Sequence, residues 1–175
     1  MRKRTREIAM ELLYQSTMNE KSAEELMDDY FEDNQDDLME DTDMEYLTDV
    51  LEGVLKNKEA LDTFIEKYLV KWKLSRISKI NLSILRLGTY ELLYKKDIPQ
   101  KVSISEAVEI AKKFSDETSG AFINGVLDKI SKTEEEISTE DLVSKENLET
   151  EAEVVNQDKE SIETADELTD MDSSL

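Results

Sequence analysis

Residues 77–95, ISKINLSILRLGTYELLYK, decide the fold. Drawn as a helix at about 100° per residue, their apolar positions (Ile77, Ile80, Leu82, Ile84, Leu85, Leu87, Tyr90, Leu92, Leu93, Tyr94) fall nearly all round. A helix without a polar face belongs at the centre of a molecule, so the rest of the chain must cover it. Upstream, residues 43–57 repeat Tyr46-Leu47, Val50-Leu51 and Val54-Leu55, and residues 58–72 carry Leu61, Phe64, Ile65, Tyr68 and Leu69. Further upstream, Ile8, Ala9, Leu12 and Leu13 form a stripe within a helix over 3–18. Residues 22–31 follow, with Ser22 and Glu25 spaced as a capping box. The acidic run 33–42 predicts a loop. Downstream, 95–101 contains Pro99 and predicts a loop. Ser103 with Glu106 predicts a second capping box, opening a helix striped by Ile104, Ala107, Val108, Ala111 and Phe114. After 116–120, Ile123, Val126, Leu127 and Ile130 mark a last helix. No strand-turn punctuation recurs among one Pro and four Gly. The pattern predicts an all-α domain of about seven helices over 1–132.

Charge is distributed unevenly. The 43 acidic and 22 basic side chains give a net charge of −21, which at first argues against a nucleic-acid partner. Residues 20–52 hold 15 acids and one base, and residues 133–175 hold 16 acids and two bases. The remainder carries +7. Residues 133–175 contain no aromatic, Gly or Pro, and their scattered apolar residues bury too little surface to offset the entropy of ordering. A disordered acidic tail is expected there, with a docked helix as the alternative. Such a tail solubilises, and it can also compete with nucleic acid for basic surface.

Composition excludes several functions. With no Cys and no His, the usual zinc sites, thiol catalysis, disulfides and Ser-His-Asp chemistry are absent. No Gly-rich phosphate loop is found. The acidic clusters at 28–29, 32–33 and 36–37 lack the Gly-centred spacing of a calcium loop. No catalytic residue, metal or cofactor is expected, which leaves a binding protein. No apolar run approaches the roughly 20 residues that cross a bilayer. The basic start lacks the apolar stretch of a secretory signal, so a cytoplasmic protein without a membrane partner is expected.

Three features suggest what is bound. Arg2, Lys3, Arg4 and Arg6 crowd the start of the first helix, where cations oppose the macrodipole. On that helix Tyr14 points away from the apolar stripe. Basic side chains hold phosphates and an exposed Tyr stacks on an unpaired base; a frayed, solvated terminus is the plainer alternative. Phe122 lies on the flank of the last helix, after Ser119 and Gly120, near N–H groups suited to a phosphate; an edge-of-core Phe is its plainer alternative. Asn124 and Gly125 are ambiguous, although Gly125 suits a close backbone approach. Glu91 falls on a buried line of the central helix and needs a partner there, a structural hydrogen bond being favoured over catalysis. Arg86 is either an anchor or a partner-facing charge.

These stretches resemble the NusB family of bacterial transcription antitermination factors. The resemblance runs from Arg2 to about Lys132 and rests on four ordered blocks: Arg2 to Ala9 leading to Leu13-Tyr14-Gln15; Ile84-Leu85-Arg86 with Tyr90-Glu91-Leu92; Ile98-Pro99 to Ala107-Val108-Glu109-Ile110-Ala111-Lys112; and Phe122 to Lys129. It implies two packed helical sub-bundles. It implies binding of the single-stranded boxA element of ribosomal RNA leader transcripts. It also implies partnership with the ribosomal small-subunit protein NusE in the RNA polymerase antitermination complex. On this resemblance Arg2, Lys3, Arg4 and Arg6 hold phosphates, Tyr14 and Phe122 stack on or pack near boxA bases, and Asn124 belongs to the same RNA-binding set. The acidic tail and the acidic 20–52 segment depart from the family pattern. They motivate the alternative of a helical protein-interaction module with weak or no RNA binding.

Overall fold

The computed structural model describes residues 1–33 and 37–133. The helices are α1 (Arg2–Gln15), α2 (Ala23–Asp33), a short α3 (Asp37–Glu40), α4 (Met44–Lys56), α5 (Lys58–Glu66), α6 (Lys79–Tyr94) and α7 (Gln100–Phe114). A further helix, α8, covers 117–133 and runs to the edge of the described residues. A 3₁₀ turn, Leu74–Arg76, precedes α6. The described residues contain no strand. The expected acidic tail lies, from residue 134 on, outside the described residues.

The architecture is all-α, in two packed sub-bundles that share α6. Helices α1, α2 and α4 pack on one another, α5 and α7 pack on α6, and α6 also touches α1 and α4. As its sequence demands, α6 is the centre: every residue from Ser83 to Leu92 is buried, polar ones included. Its flanks are less covered, since Ile77, Ile80 and Leu93 are half-buried and Tyr94 is exposed. Around it, Ile8, Leu12, Leu47, Leu51, Ile65, Ile123 and Leu127 are wholly or almost wholly buried, each side chain contributing about 1.5–3 kcal/mol. Two glycines set how closely the helices approach. At Gly53 of α4, a Cβ would collide with the ring of Tyr90 on α6. At Gly88 of α6, it would sit 2.7 Å from Leu127 on α8.

One helix start behaves as expected, and another gains a cap that the sequence reading did not name. Ser22 and Glu25 form the reciprocal capping box, with Ser22 N–H donating to Glu25 at 2.8 Å and Glu25 N–H donating to Ser22 Oγ at 3.2 Å. Asp43 caps α4 by accepting from Tyr46 N–H at 3.1 Å.

Other ends differ. α5 stops at Glu66 rather than running to Trp72. Tyr68 and Leu69 stay against the core from a non-helical segment, so apolar spacing outlasts the helix. Within the expected loop 33–42 lies the short helix α3. α7 begins at Gln100, with Pro99 at its N-cap; Pro has a helix-compatible φ and no N–H to satisfy. Ser103 is therefore an interior, buried residue, not a cap. Buried Ile110 also widens the stripe expected on α7. The last helix opens at 117, three residues before Gly120.

Candidate nucleic-acid interface

The basic start of α1 is built into the fold, which explains how it tolerates the adverse macrodipole. Thr5 Oγ1 accepts from the Asp43 N–H at 3.0 Å and ties α1 to the cap of α4. Arg2 donates from Nε and Nη2 to Asp43 at 3.1 and 2.9 Å, lies 3.8 Å from Asp97, and covers the Tyr46 ring at 5.2 Å. Arg4 pairs with Glu7 at 2.9 Å and approaches Glu11 at 3.8 Å. Lys113 of α7 reaches the same Glu7 at 2.7 Å. Burial alone would raise the Glu7 pKa. The hydrogen bonds from Lys113 and Arg4 outweigh it and hold the carboxyl below its ordinary range. Lys3 is exposed and makes no ion pair among the described residues. It lines a cleft of about 250 Å³ with Glu7, Glu106, Glu109 and Lys113.

Arg6 stands differently from the surface cation expected for it. It is 5% exposed and donates from Nε to Glu91 at 2.8 Å. Glu106 lies 3.8 Å away and the Tyr46 ring 5.7 Å. Burial opposes its charge, but Glu91 more than offsets this and raises the Arg6 pKa. Tyr46 also donates its hydroxyl to Glu91. Burial, followed by the charge of Glu91, pushes the Tyr46 pKa far up, so this phenol stays protonated. The partner that buried Glu91 requires is thus Arg6, 85 residues away, and phosphate has no access to this guanidinium. Arg86 is likewise an anchor, donating from Nε and Nη2 to Asp62 at 2.7 Å each.

Tyr14 is half-buried and leans on the core instead of standing clear of it. Phe122 is half-buried too. The helix start before it is not the open anion site that Ser119 and Gly120 suggest: Asp116 Oδ1 accepts the Ser119 N–H at 2.6 Å, placing a carboxylate there. Asn124 and Gly125 are exposed on α8. A Cβ at Gly125 would meet nothing within 4 Å, so no internal packing requires this glycine.

The structure brings Lys3 and Arg4 together with Lys113, turns Arg2 towards Asp43 and Asp97, and places Phe122 elsewhere. Phe122 borders two grooves, of about 270 and 260 Å³, and no residue of α1 lines either. Their other shared wall is Trp72, which sequence reasoning assigned to a helix. The signal for it was present in Lys71-Trp72-Lys73, an aromatic between two cations where the apolar period dissolves. Among the described residues, no three or more Asp or Glu side chains are grouped so as to hold a metal ion. No helix among the described residues is long and apolar enough to cross a membrane.

Comparison with known proteins places these features in context. The family model described as "NusB family" matches residues 3–132. The transcription antitermination protein NusB of Clostridium perfringens is 50% identical over 131 residues, covering 75% of this chain and 96% of its own. Among solved structures, T. maritima NusB superposes with a TM-score of 0.66 at 37% identity, covering 75% of this chain and 91% of the other. A chain from a crystal structure of the antitermination factors NusB and NusE in complex with dsRNA superposes with a TM-score of 0.65 at 29% identity, covering 75% and 96%.

Proposed function

The chain belongs to the NusB family of non-enzymatic transcription antitermination factors, and from that premise we propose that it binds single-stranded boxA RNA together with NusE. What supports RNA and NusE as partners is its likeness, over 96% of the other chain, to a chain from a structure of NusB and NusE in complex with dsRNA; the single-stranded boxA element is the finer part of the proposal. Its place is in the cytoplasmic RNA polymerase antitermination complex.

In this mechanism phosphates meet the first turn of α1. Lys3 takes a phosphate directly. Arg2 and Arg4, with side chains 44% and 40% exposed, turn their open edges to the backbone while Asp43 and Glu7 keep them oriented. Lys113 adds a cation from α7. Tyr14 on α1 and Phe122 on α8 supply ring surface for bases at separate places, and Asn124 supplies an exposed amide from α8. Arg6 serves the site indirectly, by holding α1 to α6. With few phosphate contacts, affinity for RNA alone is modest and salt-sensitive. NusE and RNA bound together strengthen each other.

The test is titration of boxA RNA and a scrambled control at several salt concentrations, with and without NusE. The expected result is boxA preference that rises when NusE is present. Lys3→Ala should weaken both RNAs and lower the salt slope by about 1. Absence of binding by either RNA, even with NusE, would replace this function by a protein-interaction module.

A further inference from the structure

We propose that Trp72, which with Phe122 lines both grooves, is a stacking platform for unpaired RNA bases, with Lys71, Lys73 and Arg76 holding the adjoining phosphates. This rests on the RNA-binding function above and adds to it a second contact region, on the segment between α5 and α6.

The segment is anchored at both ends and bare in the middle. Leu69 and Leu74 pack against the core, and the 3₁₀ turn is closed by Arg76 N–H donating to Lys73 O at 2.9 Å. Between these anchors Val70 is 74% exposed and Trp72 is 56% exposed. The largest apolar side chain of the protein therefore stands in water on a short, tethered segment, and the core does not need it there. The half-buried ring of Phe122 forms the other shared wall of the grooves on its two sides.

Charge selects the occupant. Lys71, Lys73 and Arg76 are exposed, and none makes an ion pair among the described residues. Lys129, also exposed, lines the same groove as Lys71. Asp116 is the one carboxylate that lines either groove, and its Oδ1 accepts the Ser119 N–H. Exposed aromatic surface rimmed by unpaired cations matches a single strand, whose bases stack and whose backbone is anionic. A duplex keeps its bases stacked on one another and cannot offer their faces. In the lining of the groove that Arg76 also borders, Asn81 Nδ2 donates to Ser119 Oγ at 2.9 Å while its Oδ1 has no hydrogen-bond partner. A small shift of this amide would present an acceptor to the amino group of a base.

Trp72 is the single tryptophan of the chain, so its emission reports on this position alone. The experiment titrates the full-length protein with single-stranded boxA RNA and with a duplex of the same sequence, following Trp emission and, separately, binding to labelled RNA. Quenching by the single strand and little by the duplex is expected. Trp72→Ala should lower single-strand affinity about tenfold, while Trp72→Phe keeps most of it. The thermal midpoint of both variants should match that of the unchanged protein. If RNA binds and Lys3→Ala weakens it, yet Trp emission and the Trp72→Ala affinity are unchanged, stacking is overturned while the RNA-binding function stands. Loss of NusE binding by Trp72→Ala with RNA affinity intact would instead assign this face to the protein partner and overturn the proposal. If no RNA binds, even with NusE, both fall together.

Discussion

The start of α1 and the segment between α5 and α6 are both rich in cations, but they hold them in opposite ways. At α1, Arg2, Arg4 and Arg6 each face at least one carboxylate within 4 Å, supplied by Asp43, Asp97, Glu7, Glu11, Glu91 and Glu106. At 71–76, Lys71, Lys73 and Arg76 have no such partner among the described residues, and an exposed Trp stands among them. A run of basic residues in a sequence therefore does not measure the positive charge a ligand meets. Where the fold already neutralises a cation, a phosphate must compete with an internal carboxylate. Where it does not, the phosphate replaces only small ions.

The sharpest way to break this contrast is at its most internal member. Arg6→Ala leaves Glu91 buried without its cation and should cost about 3–5 kcal/mol, read by denaturant unfolding. A loss of RNA affinity with stability unchanged would show that Arg6 belongs to the surface after all. A smaller and more informative effect is expected from Glu7→Gln, which removes the charge shared by Arg4 and Lys113. Stability should fall by about 1–2 kcal/mol, while RNA binding strengthens at low salt and its salt slope steepens by about 1. An unchanged slope would mean that Glu7 does not restrain these cations. The smallest effect concerns the acidic tail. Truncation after Lys132 should leave thermal stability intact and RNA affinity equal or slightly higher, measured at low salt. A large drop in thermal midpoint would reveal a docked tail.

Much of the fold was legible because its signals are local. The all-round apolarity of 77–95 marked the central helix. The stripes of α1, α4 and α8 named most of their buried apolar residues, and Ser22 with Glu25 announced a real capping box. What escaped depends on contacts made after folding. Tyr68 and Leu69 keep helical spacing although the helix has ended, because burial selects apolar residues whatever the local backbone. Ser103 and Glu106 have the spacing of a cap, but Pro99 starts the helix first. The candidate site was less legible for the same reason. Arg6 looks like its neighbours Arg2 and Arg4 until Glu91 is brought beside it. Trp72 looks like core until α5 is seen to stop at Glu66. Glu91 was the exception, since a carboxylate on a buried line has to find a partner, and only the partner's identity was hidden.

The pairing of Arg6 with Glu91, and of Glu7 with Lys113, also bears on how the chain is made. These contacts join residues 85 and 106 positions apart. As the ribosome releases the chain from its N-terminus, α1 emerges first, yet Glu91 and Lys113 follow only after most of the domain has been synthesised. Until then this guanidinium and this carboxylate stay hydrated, while the apolar stripe of α1 already has α2 and α4 to pack against. The basic end of the molecule therefore takes its final form only once α6 and α7 are in place, later than the apolar packing of the same helix.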